Sequence, residues 1–106
     1  MIVRHEDFSM EPLKIADEIY RFIGIKMTTE VKTWLEKNTA SGINSVGASA
    51  QSTKRDSRAV ALAWRSKLTF EHNKLIQDYC KDVLRSLNYR TFPSELEMSN
   101  LNISSF

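Results

Sequence analysis

Apolar residues recur with a helical rhythm in four separate stretches of this chain, and only two adjacent residues argue for a strand. That imbalance constrains the fold more than any motif does. In "EPLKIADEIYRFIG", Leu13, Ala16, Ile19, Tyr20 and Ile23 follow the 3.6-residue period. Pro12 suits a first helical turn and Gly24 is placed to end the helix. "TTEVKTWLEKN" repeats the pattern, with Thr28 or Thr29 as cap and Val31, Trp34 and Leu35 on one face. A third helix is expected over about 57–65, capped by Asp56 or Ser57, and a fourth from the cap Thr69 to Leu87, with Asn88 as a left-handed stop. Against these stand Ile2 and Val3, β-branched and apolar, which read as the tail of a buried strand. A buried strand needs sheet neighbours, and no second strand is legible. The expectation is one strand followed by about four helices, a mostly helical part of a larger α/β fold.

The stretch 40–53, "ASGINSVGASAQST", is small and polar and holds two of the three glycines. It reads as a flexible loop over 40–54, and a loop this long in a compact unit is usually functional or disordered. From Pro93 onward the periodicity thins, so 1–92 reads as one segment and 93–106 as a poorly ordered tail.

Composition narrows the function classes. The 106 residues carry 15 basic and 13 acidic side chains, a net charge of +2, too small for a dedicated nucleic-acid binder. No apolar run approaches the ~18 residues of a membrane span, and "MIVRHEDF" has charge where a signal peptide would be apolar. The single Cys80 rules out an internal disulfide. It falls among Leu75, Ile76, Tyr79, Val83, Leu84 and Leu87, and is expected in the core. His5, Glu6 and Asp7 lack a second histidine at ligand spacing, because His72 lies in the fourth helix, so no metal site is expected. Asn102-Ile103-Ser104 is a glycosylation sequon, meaningful only in the secretory pathway.

The positive charges nevertheless cluster. Lys54, Arg55, Arg58, Arg65 and Lys67 fall within fourteen positions, opposed only by Asp56. In "STKRDSRAVALAWRSKL", Ser52, Thr53, Lys54, Arg55 and Ser57 precede a helix start, where backbone N–H groups and cationic side chains can converge on an anion. Arg55 offers a planar fork that matches a phosphate, and the hydroxyls can donate to the remaining oxygens. Spacing alone leaves two readings open: an anion site, or a solvated basic linker. Trp64 reads as core packing, and Arg65 as either a surface charge or a brace for the loop.

The order of these pieces carries a resemblance. "VRHEDFSMEPLKIADEIYRFIGIKMTTEVKTWLEKNT", then "STKRDSRAVALAWRSKL", then "IQDYCKDVLRSLNYR" resembles the C-terminal half of the carbohydrate sulfotransferases, over roughly residues 2–91. The likeness is greatest to the Golgi enzymes that sulfate the 6-hydroxyl of galactose, N-acetylgalactosamine or N-acetylglucosamine. The specific parts are "VR-x-ED" with Pro12, the "NT" ending the second helix, "ST-x-R-x-S" with a downstream "WR", and "LxxLNYR", where that family commonly has "LGY".

This resemblance implies a P-loop-like α/β fold and the donor 3'-phosphoadenosine 5'-phosphosulfate, with no metal. It implies a glycan or proteoglycan acceptor, a Golgi-lumenal location, and no nucleic-acid or membrane contact from this segment. In related enzymes the loop before the Trp-Lys or Trp-Arg helix contacts the donor's 3'-phosphate. Here that role falls on Arg55, helped by Thr53, Lys54 and Ser57. Thr39 takes the place of an adenine-edge contact. His5 stands where the family's "R-Y-E-D" segment has its adenine-side aromatic. The loop for the 5'-phosphosulfate and the catalytic base lie upstream in the family, so the missing N-terminal half of the domain is an implied partner. These 106 residues alone are expected not to catalyse. The alternative is a small helical interaction module with no catalytic role, whose basic loop meets an acidic partner.

Overall fold

The computed structural model of the chain describes residues 1–42 and 52–106. It divides into two compact units, Met1–Ala61 and Leu62–Phe106. Among the described residues all regular structure is helical: α1 His5–Met10, α2 Pro12–Ile23, α3 Thr29–Thr39, α4 Ser57–Leu62, α5 Trp64–Lys67, α6 Phe70–Ser86 and α7 Glu95–Ser99.

In the first unit the expected caps form. Pro12 opens α2 and Gly24 closes it at φ 75°, a left-handed angle that glycine adopts without the penalty of a Cβ. The Thr28 hydroxyl accepts from Val31 N and caps α3. α1 packs on α2 and α2 on α3. Their shared core is Ala16, Met27 and Leu35, with Phe8, Leu13, Tyr20 and Val31 packed around it. The strand expected at Ile2 and Val3 is absent among the described residues. Residues 1–4 carry no regular structure and Ile2 is 79% exposed, as follows when no neighbouring strand offers a row of backbone partners. In its place the acidic "HEDF" enters α1. Glu6 and Asp7 lie in its first turn, where the helix dipole favours negative charge, and Asp7 pairs twice with Arg4, at 2.7 and 2.9 Å.

The second unit differs from expectation in three ways. The helix expected over 57–65 is interrupted at Ala63, which keeps right-handed helical angles between α4 and α5. The stretch after Pro93 holds α7, capped by the Ser94 hydroxyl accepting from Glu97 N, and Met98 is buried there, as is Phe92 before it. Cys80, expected in the core, is exposed, together with Leu75, Ile76, Tyr79 and Val83 of α6. That apolar face has no cover among the described residues, so its period alone did not decide burial. α6 is fixed from its other side, where the Gln77 carboxamide donates to Phe92 O at 3.0 Å and accepts from Phe92 N. Asn88, at φ 57°, is the left-handed stop.

Candidate functional site

Four of the six residues singled out by sequence lie on one hydrogen-bonded path in the first unit. The His5 ring nitrogen Nε2 is 3.3 Å from the hydroxyl of Ser9, which is buried in α1. The Ser9 carbonyl accepts from Ser57 Oγ at 2.7 Å, and the same hydroxyl lies 3.1 Å from the Thr39 carbonyl at the end of α3. One residue earlier, the Asn38 carbonyl accepts from Arg55 N at 3.0 Å. The start of α4 is thereby tied to the ends of α1 and α3. Arg58 adds a fourth stitch, donating from Nε and Nη2 to Met10 O at 3.2 and 3.1 Å.

The local sequence explains the tie. Asp56 precedes α4 and accepts from Ala59 N at 3.0 Å through Oδ1 and from Gly42 N at 2.7 Å through Oδ2. These two N–H groups hold its carboxyl below the usual aspartate range, Ala59 contributing most. The first-turn amide at Ala59 is therefore already taken by a carboxylate, and a second anion would not be held by the helix terminus. Any oxyanion here would be held by side chains. Thr53 and Lys54 are exposed, and Arg55 is half-buried with its Nε on Ser52 O at 3.1 Å. The Thr39 hydroxyl donates to Leu35 O at 2.7 Å, so its remaining capacity is that of an acceptor. Most of the loop expected over 40–54 lies outside the described residues.

The basic run splits accordingly. Arg65, read as a surface charge or a loop brace, is a brace, but for the C-terminal segment of the second unit. It is 1% exposed. Its Nε donates to Met98 O at 2.7 Å, Nη1 to Ile103 O at 2.6 Å, and Nη2 to Glu97 O and Asn100 O at 3.1 and 2.9 Å. Its guanidinium carbon sits 4.6 Å from the centre of the Phe92 ring, and half-buried Trp64 meets the same ring at 6.2 Å. Burial lowers the Arg65 pKa, with no carboxylate offsetting it.

Sequence reasoning passed over Ser9, and it marked Arg58 only as part of the basic run and Asn38 only as the first residue of the "NT" that ends the second helix. Hydroxyl-to-carbonyl stitches spanning 48 and 18 positions leave no periodic trace. Among the described residues no group of three His, Cys, Asp or Glu side chains could hold a metal ion, and no helix is long and apolar enough to cross a membrane.

The family model described as sulfotransferase domain matches residues 1–88. Carbohydrate sulfotransferase 1 of Mus musculus is 38% identical over 104 residues, which are 98% of this chain and 25% of that protein. Carbohydrate sulfotransferase 5 of Mus musculus is 35% identical over 103 residues, 96% of this chain and 26% of that protein. Carbohydrate sulfotransferase 3 of Homo sapiens is 32% identical over 104 residues, 98% of this chain and 21% of that protein. The chain thus spans about a quarter of the length of these curated relatives. No solved structure matches it. The family match over residues 1–88 and this level of identity over nearly the whole chain mean that the chain belongs to the sulfotransferase domain family.

Proposed function

We propose that this chain is the donor-side, C-terminal part of a carbohydrate sulfotransferase domain of P-loop-like α/β fold. The domain would move a sulfo group from 3'-phosphoadenosine 5'-phosphosulfate to a hydroxyl of a glycan or proteoglycan in the Golgi lumen. The observation that carries this reading is the path from His5 through Ser9, Ser57 and Thr39 to the Asn38–Arg55 bond, which gathers the donor-side positions of the family resemblance in one unit.

In this reading Arg55 and Lys54 supply positive charge for the 3'-phosphate and Thr53 donates a hydroxyl. Ser57 acts as a positioning residue, because its proton is engaged by carbonyls. Thr39 and His5 border the adenine. Sulfuryl transfer, like phosphoryl transfer, depends on positioning and on stabilising developing charge. It also needs a base within reach of the acceptor hydroxyl. That base and the 5'-phosphosulfate loop are assigned to the remainder of the domain, and these residues alone would not catalyse. The exposed apolar face of α6, with Tyr79 at 81%, supports such a remainder, since it is suited to being covered by it.

The test is calorimetric titration of 3'-phosphoadenosine 5'-phosphate into the folded chain. Saturable binding is expected. Arg55→Ala should weaken it by about 1.5–3 kcal/mol, the scale of a hydrogen bond to a charged group. Unchanged affinity in that variant overturns the role of Arg55. A folded chain that does not bind at all favours the interaction-module reading, which the same exposed faces would also suit.

A further inference from the structure

α6 carries a second polar feature that the donor-side reading does not use. On one side of the helix, Lys81 and Arg85 stand one turn apart and line a groove of about 860 Å³. The segment after the helix closes it with Tyr89, Arg90 and Thr91. This second wall is fixed in place: Arg90 N donates to Ser105 O at 2.8 Å, and the Gln77 carboxamide grips Phe92 from both sides. A groove built this way needs little ordering when a ligand enters.

Its charge is only partly compensated. Lys81 and Arg90 make no ion pair among the described residues. Arg85 meets Asp82 at only 3.9 Å, with both side chains more than 80% exposed, a pair too solvated to neutralise either partner. The lining carboxylate Asp78 is shared with Lys74 at 3.3 Å. Among the lining side chains, three cations, Lys81, Arg85 and Arg90, face one carboxylate, Asp78. The same lining holds groups suited to a sugar ring. Asn88 and Thr91 can hydrogen-bond hydroxyls, and the flat face of Tyr89 can meet C–H edges.

The groove also stays open when the apolar face of α6 is covered. Lys81 follows Tyr79 by two positions and Arg85 follows Val83 by two, which turns each roughly 200° around the helix. A neighbour seated on Tyr79 and Val83 leaves Lys81 and Arg85 facing away from it.

We infer that this groove is an anion site of its own, taking an oxyanion carried on a sugar chain, a sulfate ester or a carboxylate, away from the reacting hydroxyl. The sugar-chain part rests on the proposed glycan sulfotransferase reading; the anion part does not.

The experiment titrates fluorescent oligosaccharides into the full chain at physiological ionic strength: a dextran sulfate, a polygalacturonate and a neutral dextran. Each variant's melting curve is recorded alongside. The parent should bind at least one charged oligomer and not the neutral one, and which charged oligomer binds identifies the group. Lys81→Gln with Arg90→Gln keeps polar stems at exposed positions and should weaken binding on the order of tenfold. Arg85→Glu is a second variant and should abolish binding. The control Lys26→Ala with Lys67→Ala removes the same charge elsewhere and should bind like the parent. Equal loss in the control overturns the site, because bulk charge would then explain binding. So do binding of neutral dextran, absence of binding in the parent, and equal competition by single-stranded DNA. Titration of 3'-phosphoadenosine 5'-phosphate separates this site from the donor reading. It should be unchanged in the Lys81/Arg90 variant, and its loss there would make the groove the donor site. If the parent binds sulfated sugar but no nucleotide, the donor reading fails and the groove stands.

Discussion

Arg58 and Arg65 stand seven residues apart in the sequence and are built into opposite settings. Arg58 is exposed and lends two nitrogens to one carbonyl, that of Met10. Arg65 is buried and spreads its fork over four carbonyls, those of Glu97, Met98, Asn100 and Ile103. Three of these oxygens belong to α7 or the residue after it, where a helix leaves carbonyls unpaired and where its dipole favours a cation. The first unit closes around an apolar core, Ala16, Met27 and Leu35, with hydroxyl and guanidinium stitches at its edge. The second has Phe92 and Met98 as its fully buried apolar side chains and puts a cation among them. The same residue type is a surface stitch where an apolar core already exists and a structural centre where little apolar core is available.

Removing the centre should do most damage. Arg65→Ala takes a side-chain donor from four carbonyls, of which those of Glu97 and Asn100 keep a backbone partner, and opens a cavity against Phe92. The second unit should lose about 3–5 kcal/mol, the scale for truncating a large buried side chain together with its hydrogen bonds. Arg65→Lys should recover little of it, because an ammonium has three donors and no planar fork. Chemical denaturation followed by tryptophan fluorescence measures both, and a parent-like curve for either variant would break the contrast drawn here. Trp64→Ala comes next. Its ring meets Phe92 but is only half-buried, so the cost should be about 1–3 kcal/mol, less than a fully buried tryptophan would give. Ser57→Ala tests the edge of the first unit. It removes one hydroxyl serving the Ser9 and Thr39 carbonyls, and about 0.5–1.5 kcal/mol is expected from melting curves. A loss as large as that of Arg65→Ala would show that the stitches, not the apolar core, hold this unit.

How much of this was legible follows from the range of each interaction. Helices with local signals could be read: Pro12 and Gly24 around α2, Thr28 before α3, Thr69 before α6 and Asn88 after it. α7 carried a signal too, since Ser94 followed by Glu97 is the pattern of a capping box. Burial was harder to read. Cys80 and Tyr79 have a core-like period yet are exposed, because a period states which face is apolar and not what covers it. Ile2 and Val3 fail as a strand for a related reason, since pairing needs a partner the pattern does not contain. At the candidate site, Arg55 and Ser57 stood out as part of a basic run before a helix start, whereas His5 and Thr39 came from the family resemblance. What joins them is buried Ser9, a serine that no local rule distinguishes from the others. Arg65 was visible as a positive charge, but its carbonyl partners lie 32 to 38 positions away.

The smallest expected effect separates the two units by acid. The Asp56 carboxylate is held below its ordinary pKa by the amides of Ala59 and Gly42, so its ionised form is the one that folding favours. The resulting stabilisation is fully present above the unfolded value of about 4 and fades as pH falls through the lower folded value. The Arg65 clamp has only carbonyl partners and carries no such dependence in that range. Asp56→Asn keeps one acceptor and loses the charge. Near neutral pH its melting temperature should fall slightly below the parent's, and the gap should close once the solution is acidic enough to protonate Asp56 in the folded parent. The amide resonances of Gly42 and Ala59 should titrate with it in the parent. A gap that persists at low pH would assign the role of Asp56 to the shape of the turn rather than to its charge, and the first unit would then resist acid by the same means as the second.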